Sequence, residues 1–214
     1  MSVSVRVLSL FLVGWLLVSS EALSPAANDQ PLKVLPTLLS ERYCYGDAEV
    51  FSVWLKLRMQ YINQSDRTLI LDKQIGQAWY GVTVARTMED LVAQKYEYNP
   101  NIDWIITDED KRPPRPSPTP PSKDFVILAP GQSFESETDA SVMAQYGNAK
   151  QIVGTVQPGS HIFQMELSAW SHPGNASEFK RRWSRVGQLV TEEIDTEPLE
   201  IRVPTNPKLE MDCK

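Results

Sequence analysis

Residues 51–63 read FSVWLKLRMQYIN, and this stretch decides the fold. Phe51, Val53, Leu55, Leu57, Met59 and Tyr61 alternate with Ser52, Trp54, Lys56, Arg58 and Gln60. In an extended chain successive side chains point to opposite faces. A period of two therefore means a long strand with one buried face and one solvated face. Asn63-Gln-Ser-Asp66 then supplies turn chemistry. Residues 68–71 (TLIL) read as a second strand, the hairpin partner of the first.

The pattern repeats further along the chain. Residues 79–87 (WYGVTVART) predict a third strand. Thr87 to Asp90 resembles a capping box with Asp in place of Glu, and Met88, Leu91, Val92 and Lys95 follow at helical spacing, so a short helix is expected over 88–95. Residues 102–107 (IDWIIT), 124–128 (DFVIL) and 151–156 (QIVGTV) read as short strands. Residues 139–146 fit either a helical turn or a strand. Residues 161–170 (HIFQMELSAW) alternate again, with Phe163, Met165, Leu167 and Ala169 on one face. After a polar stretch to Arg182, residues 183–194 and 198–203 (PLEIRV) read as closing strands. Upstream, residues 25–42 look like an arm anchored by Leu35, Leu38 and Leu39.

Between the halves lies KRPPRPSPTPPSK, residues 111–123. Six prolines there remove backbone donors and fix φ, which makes a stiff surface loop. Neither half has enough strands to close a sandwich alone. The expected organisation is an N-terminal arm over 23–49 and one all-β domain over 50–214.

Residues 1–22 read as a signal peptide. Arg6 precedes the apolar run Val7–Val18, and Ser20-Glu21-Ala22 places small residues at the two positions that flank a cleavage site. The expected location is outside the cytoplasm, periplasmic or extracellular. No later apolar run has transmembrane length. In that compartment the two cysteines, Cys44 and Cys213, are expected to form a disulfide. Such a bridge would close a loop of most of the domain, worth roughly 4–5 kcal/mol in the chain-entropy model. The formal net charge of −6 argues against nucleic acid as a partner, since phosphate binding needs a positive field.

Strand, Pro-Gly, strand occurs twice: Phe125-Val-Ile-Leu-Ala-Pro-Gly131 and Val156-Gln-Pro-Gly-Ser-His-Ile-Phe163. With a last strand of the PLEIRV kind, this resembles immunoglobulin-like β-sandwiches. It is also similar to the BsuPI-type proteinase inhibitors that share that fold. The resemblance implies an antiparallel sandwich and a hint of proteinase inhibition, and it assigns no functional residue. The export signal and the proline-rich insertion depart from the inhibitor pattern.

Catalytic signatures such as G-x-S-x-G, H-E-x-x-H, G-x-G-x-x-G and the P-loop do not occur. His161 and His172 lack a Cys or His at ligand spacing. His161, at a strand start, is expected in the core or at an edge with its hydrogen bond satisfied, and His172, before Pro173, in solvent. Asp108-Glu109-Asp110 reads as a solvated acidic loop. No cofactor and no metal site is expected. The leading functional reading is a non-catalytic binding module for a protein or glycan partner. The residues expected to carry it are Trp54, Trp170 and Trp183, with Arg181 and Arg182 of a basic cluster that includes Lys180 and Arg185. Trp54 and Trp170 fall on the polar parity of their strands, where an exposed indole stacks on sugars or anchors a partner. The alternative is a hydrolase whose carboxylate pair is set by spacing in space. Asn63 and Asn175 fit the glycosylation acceptor pattern.

Overall fold

The computed structural model describes residues 30–47, 49–76, 79–103, 117–147, 150, 152–170, 172 and 176–211. The protein is predominantly β. The long strand is β2 (Val50–Asn63), and its odd-numbered residues are buried from Phe51 to Asn63. It is the middle strand of a three-stranded antiparallel sheet, between β1 (Leu32–Tyr45) and β8 (Ser133–Gln145). The segment 23–49, expected to be an arm, thus carries a 14-residue strand. Its anchors are Leu32 and Val34, at 1% exposure each. Leu39 is exposed, and only Leu38 of the expected anchors packs against the core. The strand was hidden because its middle residues, edge-placed and solvated on one face, do not alternate cleanly. The stretch 139–146 resolves as the end of β8, up to Gln145.

A second sheet packs against the inner face of the first. It is built on β9 (Gly159–Ser168) and β4 (Trp79–Ala85), antiparallel to each other. β5 (Tyr96–Tyr98) and β6 (Asn101–Asp103) pair with the far side of β4. β11 (Glu193–Asp195) and β12 (Leu199–Val203) pair with the far side of β9. Leu55, Leu57 and Met59 from the first sheet share one buried cluster with Val82, Phe163 and Met165 from the second. Two inner faces meeting in one core is the sandwich logic of alternating strands. Helix α1 (Met88–Val92) follows β4, and the Thr87 hydroxyl accepts the Asp90 N–H at its start, as the capping pattern predicts.

Residues 68–71 do not form a hairpin with β2. They belong to β3 (Leu69–Asp72), which pairs antiparallel with β7 (Phe125–Leu128) and parallel with β10 (Gln188–Leu189) in a small third sheet. All four β3 residues are buried. Leu69 and Leu71 join the main core, while Ile70 joins a second cluster with Phe125, Phe179, Trp183 and Leu189. A strand covered on both faces reads as a continuous apolar run, and its partner cannot be read from periodicity. The second cluster lies under α2 (Ser177–Trp183), a helix within the stretch read as polar coil and the start of a closing strand. Of the expected strand 151–156, the described residues 152–156 contribute a bridge, Ala144 to Val156.

The outer edge of β1 is held at both ends. Glu197 N–H donates to Val34 C=O, and the Glu210 N–H and C=O bond Tyr43 C=O and Tyr45 N–H. Edge-facing residues alternate along a strand, so Pro36, two residues from Val34, brings its missing N–H to the open part of this edge. The register with β2 also shifts between Leu38 and Ser40.

Leu57 is fully buried at the centre of β2, and Lys56 beside it faces solvent. Leu57→Ala is expected to lower stability by about 3 kcal/mol, read from urea denaturation, whereas Lys56→Ala is expected to leave the midpoint nearly unchanged.

Candidate functional site

The three tryptophans expected at a binding surface have different fates. Trp54 stands on the outer face of the first sheet, half-buried, opposite Arg42 on β1 and Ser141 on β8. Trp183 does not face a partner. It is fully buried, and its Nε1 donates to Ser117 C=O at 3.0 Å. It closes the second cluster, with its ring 4.9 Å from that of Phe125 and 5.1 Å from that of Phe179. Trp170 packs on the same cluster, its ring 5.6 Å from Phe179. The helical period of α2, rather than strand parity, turns Phe179 and Trp183 inward at i and i+4.

Two ion pairs lie on the face around Trp54, beside the exposed side chains of Arg58, Glu135 and Asp139. Arg42 donates through Nε and Nη2 to Glu210 Oε2 at 2.9 and 2.7 Å. Lys56 Nζ lies 2.8 Å from Glu137 Oε2. These exposed pairs add little stability, yet they set the character of the face. It is mixed in charge, with the Ser141 hydroxyl on the strand directly beside the indole.

The basic cluster divides. Arg182 pairs with Glu178 at 2.6 Å and Lys180 with Glu192 at 2.8 Å. Arg181 is exposed and lies apart from the groove beside α2, which Lys180 and Arg185 line together with Arg67 from the turn before β3. The sequence reading missed Arg67, because only the parallel pairing of β10 with β3 brings residue 67 beside residue 185.

Neither histidine is in solvent. His161 is buried, its Nε2 2.7 Å from Gln157 C=O and its Nδ1 3.1 Å from Glu97 Oε2. Burial holds its pKa below the ordinary imidazole value, against the opposing pull of the Gln157 carbonyl and Glu97. A carbonyl only accepts, so Nε2 carries the N–H that goes to Gln157. Arg86 Nη1 lies 3.3 Å from the same nitrogen. The guanidinium fits because residue 159 is glycine: a Cβ there would sit 3.1 Å from Nη1, and φ is +137°. His172, expected in solvent, is 9% exposed. Its Nε2 is 3.1 Å from Oδ2 of the fully buried Asp72, beneath Phe125 and Trp170. Asn63 is also inside. Its Nδ2 donates to Arg67 C=O and Leu128 C=O, so the nitrogen that would carry a glycan is occupied in the fold. Asn175, Trp104, Asp108 to Asp110 and Cys213 lie outside the described residues.

One cluster of carboxylates converges. Glu166 on β9 faces Asp195 on β11 and hydrogen-bonds Glu193. Partial burial, then the bond to Glu193 and the charges of Glu193 and Asp195, push the Glu166 pKa up to about 7. Asp195 is raised too, by burial and by Glu193. Carboxyls sharing a hydrogen bond are far closer than the about 5–5.5 Å or 6.5–9.5 Å that glycoside hydrolysis requires. Among the described residues no group of three or more His, Cys, Asp or Glu side chains is arranged to hold a metal ion, and no helix is long and apolar enough to cross a membrane.

No protein-family model matches this sequence, and no curated protein is similar to it.

Glu166 generates a pH dependence with a definite sign. Its folded pKa lies above its unfolded one, so the native state holds the extra proton between about pH 4.5 and 7. The contribution is complete below that window and is lost as pH rises through it. Glu166→Gln is expected to match the parent in thermal stability near pH 5. At pH 8 it is expected to exceed the parent by about 1 kcal/mol, a figure reduced for solvent screening. Melting curves across the pH range check this.

Proposed function

We propose that this protein is an exported, non-catalytic binding module whose contact surface is the outer face of the first sheet around Trp54, and that the partner there is a neutral glycan. The observation that carries the reading is the setting of Trp54. Of the tryptophans whose side chains are described, Trp54 stands on a solvated sheet face, while Trp170 and Trp183 pack in a core. A sugar offers an apolar ring face and hydroxyls but no charge. It suits an indole with the Ser141 hydroxyl beside it and two ion pairs nearby, because a neutral ligand leaves Arg42–Glu210 and Lys56–Glu137 intact. The packing of two antiparallel sheets supports an immunoglobulin-like scaffold, and sandwiches of that kind commonly present surfaces to partners. The hydrogen-bonded Glu166 and Glu193 offer no space for a substrate between them, which weighs against the hydrolase reading.

Export rests on the N-terminal signal pattern, and the cysteines agree with it. Cys44 is buried, and residue 210, only three positions before Cys213, bridges to it. We propose the Cys44–Cys213 disulfide on that spacing in the sequence. The bridge would staple the outer edge of β1 to the end of the domain.

Two measurements test this reading. A panel of neutral oligosaccharides is offered to the protein and to Trp54→Ala. Saturable, salt-insensitive binding that falls about tenfold or more in the variant is expected. A panel that binds nothing, or binds both proteins alike, overturns the glycan reading. Peptide mapping without reductant is expected to recover a linked peptide holding Cys44 and Cys213. Two alkylatable thiols on the secreted, unfolded protein would remove the disulfide.

A further inference from the structure

An open groove of about 710 Å³ lies between the turn before β3 and the chain that leaves α2. Arg67 and Arg185 stand on its walls, both exposed. Lys180 at the rim is occupied by Glu192. The two arginines are not comparably occupied. Arg185 has no ion-pair partner among the described residues. The acidic oxygen paired with Arg67, on Asp66, is 3.9 Å away on a side chain 94% exposed, too distant and too solvated to hold the guanidinium. In a chain of net charge −6, two guanidinium groups left open across one concavity are an exception to the overall field.

We propose that this groove binds an anionic polysaccharide, with Arg67 and Arg185 each clasping an oxyanion group, sulfate or carboxylate, of one chain laid along it. Guanidinium groups match such oxyanions with two parallel N–H donors, and charge-assisted bonds of this kind are about twice as strong as neutral ones. The rest of the lining selects a glycan over other polyanions. Thr68, Ser184 and Gln188 set neutral hydrogen-bonding groups between the cations, and sugar hydroxyls pair with such groups. An acidic protein partner would bring an apolar or aromatic anchor, yet Val186 and Leu189, the apolar side chains in the lining, are half-buried and buried in this fold. An anionic bilayer is flat, and an acidic protein is repelled from it. This site is separate from the Trp54 face, and it differs in kind: one binds without charge, the other through it.

The test titrates the protein with a heparin-derived oligosaccharide by calorimetry at low and at high salt. Binding at low salt that weakens steeply as salt rises is expected, weaker for the desulfated oligosaccharide, which keeps its carboxylates, and absent for the desulfated, carboxyl-reduced one. Arg67→Gln and Arg185→Gln are each expected to weaken binding about tenfold, and the double variant is expected to abolish it. Both side chains are exposed, so melting temperatures are expected to stay at the parent value, which separates lost binding from lost folding. Trp54→Ala is expected to bind this probe as the parent does, so failure of the sheet-face reading leaves this one standing, and the reverse. A double variant that binds as tightly as the parent overturns the proposal. So does a polyglutamate peptide that binds as tightly as the oligosaccharide and loses affinity in the same variants, since the groove would then be a protein-binding surface.

Discussion

Everything in this fold depends on the buried face of β2. Phe51, Val53, Leu55, Leu57, Met59 and Tyr61 are each at most 1% exposed, and they belong to one strand paired on both sides. A one-residue slip in register would send all of them to solvent and bring Lys56 and Arg58 into the core. The pairings with β1 and β8 are therefore fixed by burial rather than by turn geometry. With the first sheet fixed, the second has one apolar surface to cover, and Val82, Phe163 and Met165 cover it.

The two sheets are joined by polar stitches as well as by burial. Thr196 is 2% exposed, and its hydroxyl accepts the Met165 N–H. Its own N–H donates to Met165 C=O, and the next residue donates to Val34 C=O on β1. One short segment thus bonds the edge of the first sheet and the middle of the second. At the other end of β1, Glu210 does the corresponding work on Tyr43 and Tyr45. Pro36 and the register shift after Leu38 occupy the remaining edge. A strand edge with few accessible amides is a poor template for another chain, so the same features that close the fold also discourage assembly through that edge.

What was legible in the sequence follows from these constraints. Strands with one wet face, β2, β9 and β12, announce themselves by alternation, and their buried residues are the ones the alternation names. The Thr87 cap is equally local. β3 was visible as a strand but not in its pairing, because four buried residues in a row carry no information about which face meets what. α2 was hidden because only Phe179 and Trp183 mark its apolar stripe, in a segment dominated by Lys180, Arg181, Arg182 and Arg185. That error in period carried Trp183 to the surface on paper. The burial of His172 was beyond sequence reasoning for a related cause. It depends on Asp72 and Phe125, which come together with residue 172 only after the third sheet has formed.

The same contrast governs the two binding surfaces. Trp54 was found because strand parity alone places it on the wet face. The groove was half found: Arg185 stood in a visible basic run, but its partner across the gap comes from more than a hundred residues earlier and is delivered by a parallel ladder between β3 and β10. Of the run, Arg182 and Lys180 are already engaged by Glu178 and Glu192, while Arg181 lies apart from the groove. A cation's availability is set by the carboxylates the fold brings to it, and a sequence run shows only its charge. This is why the pairing state of each arginine, rather than the density of arginines, separates a solvated helix face from a site able to take an anion.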